Sequence, residues 1–298
     1  MKKVLFGLMT ALFLVLVIGC SAEGEESSGE SNSEGEQASE SKDETIKFGV
    51  TPWTSTVPPT KIASLILQDM GYKVEETETN VGGVFMGLSR GDLDVFMDAW
   101  FPMHEVHMEK FGDKLERTAV SYPKAETGWV VPAYMEDVNS ISDLKGMEDE
   151  FGNEMFGIEE GASATKESNE LIKAYDLDMK QVNSSEGGMM AQAIRLMEQE
   201  KPVVFFGWRP HTMFNKHDLK ILSNDQGFFE SSSVEVVTNS NLSERAPEAY
   251  EFLSNWNISI DEVEKMIVEI EENGKDPEKV AREWIENNQD KVAEMKGE

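Results

Sequence analysis

Residues 95–108 read VFMDAWFPMHEVHM. An apolar run ends on Trp100, Pro102 follows, and His104 and His107 lie three apart with Glu105 between them. Two chemistries suit these residue types. On one helical face the two imidazoles, with the carboxylate nearby, could ligate a metal ion. Alternatively, the indole of Trp100 is the working group and the histidines support it. The other two of the four histidines are His211 and His217. A zinc or manganese site drawing on His104, His107, His211 and His217 is therefore one reading, although each sits in or after a Trp-x-Pro segment that a metal site does not require.

The chain repeats itself, and the repeat bears on this choice. FGVTPW starts at Phe48 and FGIEEG at Phe156, 108 residues later. Each opens a strand, a turn and a helix, over 60–70 and 165–175. A second β-like stretch follows, holding Val74 or Val182. A Gly-Gly pair, Gly82-Gly83 or Gly187-Gly188, then starts another helix. Each half ends on an apolar strand with Trp-x-Pro: Trp100 and Pro102 in one, Trp208 and Pro210 in the other, again 108 apart. Two copies of β-α-β-α-β imply two similar α/β lobes. Strand-like segments after Trp129 and at SSSVEVVTNSNLS are expected to cross between the lobes. The helical residues from Glu244 onward are expected to pack back on the first lobe, with Ser243 as an N-cap and Asp276-Pro277 opening the last helix.

In open α/β sheets ligands bind beyond the carboxyl ends of the strands. Three of the six tryptophans occupy those exits: Trp53 after IKFGV, Trp100 after LDVFM and Trp208 after PVVFF. Trp129, Trp256 and Trp284 read as structural. Three indoles facing one cleft suit a quaternary ammonium, which has no N–H to donate and spreads its charge over methyl groups. Each aromatic face is worth ~0.5–2 kcal/mol to such a cation when desolvated, against the roughly 8 kcal/mol of a micromolar ligand. An anionic tail on the ligand could be held by backbone N–H groups at a helix start. The second lobe offers one at Gly161-Ala162-Ser163-Ala164-Thr165.

The ends of the chain speak to location. Residues 1–19, MKKVLFGLMTALFLVLVIG, carry only Lys2 and Lys3 as charges and form an export signal. Cys20, the only cysteine, follows at once. It cannot form an intramolecular disulfide, and its place matches a bacterial lipobox, where a diacylglyceryl group is attached. Residues 21–45 hold nine acids, one Lys and no aliphatic side chain larger than Ala. Residues 20–45 are therefore expected to be a disordered tether. The formal charge of −30 argues against nucleic acid and against a polybasic membrane patch. No nucleophile elbow, phosphate loop or HExxH is present, so neither an enzyme nor a cofactor is expected.

Taken together, TPWTSTVPPTKIASLILQDMGY, VFMDAWFPMH, GWVVPAYMEDVNSISDLK, FGIEEGAS and FFGWRPHTMF resemble the substrate-binding lipoproteins of glycine betaine ABC importers. The resemblance covers residues 46–296. It implies a two-lobed periplasmic-binding-protein (venus-flytrap) α/β fold of type II with two hinge crossovers. Lobe 1 would hold 46–134 plus 232–298, and lobe 2 would hold 135–231. It implies an aromatic cage of Trp53, Trp100 and Trp208, and carboxylate binding by the backbone of Ser163 and Ala164. The family's carboxylate-binding histidine falls five residues after the Trp, where this chain has Glu105. A one-residue deletion would give the part to His104, with His107 the other candidate. The implied partners are a betaine-like small molecule and a permease with its ATPase. The implied protein is a monomer held by its lipid on the outer face of the cytoplasmic membrane of a Gram-positive-type bacterium.

Overall fold

A computed structural model describes residues 42–298. The export signal, Cys20 and the tether as far as residue 41 lie outside the described residues. Residues 42–45, expected to belong to the tether, are part of the fold. The backbone N–H of Lys42 donates to Gly71 at 2.9 Å. Glu44 pairs with Arg245, and Thr45 begins the first strand.

The first repeat runs β1 (Thr45–Val50), α1 (Val57–Asp69), β2 (Lys73–Glu78), α2 (Val81–Arg90) and β3 (Val95–Phe101), followed by the short α3 (Glu105–Phe111). The long β4 (Leu115–Pro132) comes next. The second repeat is β5 (Glu154–Gly157), α4 (Ser163–Ala174), β6 (Lys180–Asn183), α5 (Glu186–Met197) and β7 (Phe205–Arg209). After α6 (Met213–Lys216) and β8 (Leu219–Ile221), β9 (Ser232–Asn239) returns to the first half. The chain closes with α7 (Leu242–Arg245), α8 (Pro247–Ser254), α9 (Ile260–Glu271), α10 (Pro277–Asn287) and α11 (Gln289–Lys296).

The strand order is β2-β1-β3-β9-β4-β7-β5-β6, with β8 beside β4. Each half is a parallel trio, β2-β1-β3 or β6-β5-β7, bordered by an antiparallel strand, β9 or β4. The repeat read from the sequence is thus a repeat in space. Its capping is repeated too: Asn80 Oδ1 accepts from the N–H of Gly83 at the start of α2, and Ser185 Oγ from the N–H of Gly188 at the start of α5.

β4 is shared by the two halves. Its first part, as far as Ala125, pairs with β9, and from Glu126 onward it pairs with β7 and β8. The change of partner falls at 125/126, ahead of the division at 134/135 expected from sequence. Hydrophobicity could not mark this point, because β4 is buried along most of its second part, where both its partners and its faces are covered. The C-terminal helices dock on the first half: α10 and α9 pack on α1, and Arg282 pairs with Asp69 at 2.5 Å. Trp256 and Trp284 are buried in these helical segments, and Trp129 is fully buried in β4, its Nε1–H donating to Ser168 Oγ at 3.1 Å.

Candidate functional site

Both Trp-x-Pro segments end a strand whose side chains are almost wholly buried, so each indole leaves the sheet at its carboxyl edge. The residue before Trp208 must be small. A Cβ on Gly207 would lie 2.5 Å from Val130 Cγ2 on the neighbouring β4. Trp53 stands just beyond β1, where the chain turns into the helical turn Thr54–Thr56 ahead of α1.

The three indoles meet. Trp53, Trp100 and Trp208 line one cavity with an empty volume of about 350 Å³, together with His104, Ala164 and Thr127 among others. All three tryptophans are buried. Phe206 backs Trp208 at 5.6 Å, and His211 meets the same indole edge-on at 4.7 Å and 87°.

Two of the indoles donate their N–H to carboxylates. Trp100 Nε1–H donates to Asp98 Oδ1 at 3.0 Å. Trp53 Nε1–H donates to Glu159 Oε1 at 3.0 Å, from the second repeat. Asp98 is fully buried and also accepts from Ser55 Oγ and Thr56 Oγ1, each at 2.8 Å. Burial pushes its pKa up, and the three donors oppose that shift.

The two histidines of the opening motif part company. His104 lines the cavity and is 1% exposed. Burial, with a smaller contribution from His107, holds its pKa down at about 3, so it is neutral at ordinary pH. His107 turns away and stacks on Phe85 at 4.5 Å and 8°. In the second half, His211 Nε2 bonds Glu186 Oε1 at 2.9 Å while its Nδ1 accepts from the N–H of Met213. His217 is partly exposed beyond α6. The metal reading finds no support: no three His, Cys, Asp or Glu side chains form a metal-holding group among the described residues.

At the opposite wall, α4 begins with Ala162 as its N-cap and no side chain capping it. The first N–H groups of a helix have no partner within it, so this end presents bare donors. Ala162 and Ala164 line the cavity. The side chain of Ser163 instead faces an adjoining groove with Pro102, Met103 and Val106. Sequence reasoning missed Asp98, Glu159 and Thr127. The Thr127 hydroxyl is buried in the cavity wall without a hydrogen-bond partner among the described residues. β4 also carries Glu116, Arg117, Thr118, Ser121, Lys124 and Glu126, so its sequence pattern does not single out Thr127.

A two-lobed α/β frame with an aromatic cavity between its repeats defines a solute-binding protein. A family model described as the substrate-binding domain of ABC-type glycine betaine transport systems matches residues 44–287, and the chain belongs to that family. Lactococcal OpuAC, solved closed with glycine betaine, superposes with a TM-score of 0.80 at 31% identity, covering 85% of this chain and 99% of that one. An ABC-transporter choline-binding protein solved with choline gives 0.80 at 25% identity, over 84% and 91%. The glycine betaine/carnitine transport binding protein GbuC of Listeria monocytogenes is 33% identical over 141 residues, 46% of this chain. That match spans 47% of the Listeria protein, about half its length.

Proposed function

We propose that this protein captures glycine betaine, or a closely related quaternary ammonium osmolyte with a carboxylate tail, and delivers it to an ABC permease and its ATPase. The observation that carries the reading is the convergence of Trp53, Trp100 and Trp208 on one cavity. Cation–π attraction to three desolvated faces supplies about 1.5–6 kcal/mol toward binding. The ligand's carboxylate is assigned to the backbone N–H groups of Ser163 and Ala164 and to the Nε2–H of neutral His104. Choline has no carboxylate and would leave those donors unanswered, so it ranks below the betaines.

The same reading makes lobe 1 the first repeat with β9 and the C-terminal helices, and lobe 2 the second repeat with the latter part of β4. Closure is favoured because only the closed state lets both lobes touch the ligand at once. Cys20 carries the lipid that holds the protein, as a monomer, on the outer face of the cytoplasmic membrane. Titration of tryptophan fluorescence with glycine betaine, carnitine and choline tests the assignment. A saturable response strongest for a betaine is expected. No response to any quaternary ammonium, or undiminished affinity after Trp100→Ala, would overturn it.

A further inference from the structure

The three walls of the cage are not held in the same way. Trp100 is fixed from within its own lobe, by Asp98 two residues earlier on β3. Trp53 also belongs to the first repeat, yet its N–H is taken by Glu159, 106 residues away at the head of the second repeat's helix α4. The next backbone N–H, that of Thr54, donates to Glu186 Oε2 at 3.0 Å, again from the second repeat. The other oxygen of Glu186 bonds His211, whose ring abuts Trp208. Neither Glu159 nor Glu186 lines the cavity.

We propose that Glu159 is a positioning residue that completes the cage on closure: its carboxylate catches the indole N–H of Trp53 across the cleft, so that this wall is oriented for a quaternary ammonium only when the lobes are together. The inference rests on the reading of the cavity as a cation cage. A charge-assisted N–H···O bond is about twice as strong as a neutral one, and an anion at the indole N–H drives electron density toward the ring face that the cation meets. Glu159 is itself pinned. Thr165 Oγ1 donates to its carbonyl at 2.8 Å, and the N–H of Ala162 donates to the same oxygen at 3.1 Å. One turn therefore carries both the acceptor for Trp53 and the open helix end assigned to the ligand's tail.

The test is calorimetric titration of glycine betaine into the wild type, Glu159→Ala, Trp53→Phe and the double variant. Trp53→Phe keeps an aromatic face and removes the N–H. Glu159→Ala is expected to weaken binding about tenfold in the wild-type background and less than twofold in the Trp53→Phe background. Glu159→Gln, which keeps an acceptor oxygen, is expected to recover part of the loss. Stopped-flow fluorescence should place the loss in the dissociation rate, because the bond exists only in the closed state. Wild-type affinity in Glu159→Ala, or an equal loss in both backgrounds, overturns the inference alone. A wild type that binds no quaternary ammonium overturns the reading of the cage and the inference with it.

Discussion

The Nδ1 of His104 accepts a hydrogen bond from the backbone N–H of Trp100 at 3.0 Å. With Nδ1 acting as acceptor, the proton of the neutral ring sits on Nε2. The strand end that carries Trp100 therefore also sets the tautomer of the neighbouring imidazole.

That neutrality has a pH signature. The unfolded chain takes up a proton at His104 below about pH 6.5, whereas the folded chain resists until about 3. The depressed native pKa makes the unfolded state the stronger proton binder between those values, so stability falls as pH falls through that window. His104→Gln should flatten this dependence by about 2 kcal/mol between pH 6 and pH 4. Chemical denaturation of both proteins across that range checks it. Betaine affinity in the wild type should stay level from pH 5 to 8.

The two histidines should separate on mutation. His104→Ala is expected to lower betaine affinity about tenfold, the measure of a lost hydrogen bond to a charged group. His107→Ala should leave affinity within twofold and cost about 1 kcal/mol of stability through the lost stack on Phe85. Calorimetry paired with melting curves distinguishes them. The reverse assignment would show the larger affinity loss in His107→Ala.

The open start of α4 can be tested without disturbing the helix. Ser163 is its first residue and Ala162 before it is extended, at φ −76° and ψ 144°, a conformation that precedes proline without clash. Ser163→Pro removes one backbone N–H and is expected to keep the melting temperature within a few degrees. Betaine affinity should fall about tenfold, and choline, lacking the carboxylate, should lose no more than twofold.

Asp98 holds three donors at once, from Ser55, Thr56 and Trp100. Asp98→Ala leaves all three without their acceptor in a buried site and is expected to cost about 3 kcal/mol of stability. It should also weaken betaine binding, because Trp100 loses its anchor. Denaturant melts and titration of the same preparation report the two effects.

Much of the frame was legible because strand exits and their side chains are local. A buried strand ending in Trp-x-Pro states its own direction, and finding it twice located both Trp100 and Trp208. Local reading also found the glycine-led starts of α2 and α5. It failed where partners meet across the cleft. Nothing near Glu159 says that its acceptor oxygen faces Trp53, and Asp98 looks like one polar residue inside a strand until Ser55 and Thr56 fold over it. Spacing left His104 and His107 open, since both follow the same turn. Only the stack of His107 on Phe85 takes it out of the cavity. Residues 42–45 read as tether because they are polar; their order comes from backbone bonding and from Arg245, 201 residues from Glu44.

The shared strand β4 and its neighbour β9 have a mechanical meaning. They lie antiparallel side by side, and their register slips between Arg117 and Ala119, between Val120 and Tyr122, and between Tyr122 and Ala125. Each slip interrupts the ladder, bends the strand and adds to its right-handed twist. One sheet therefore runs through both repeats, and its bulged seam lies between β4 and β9.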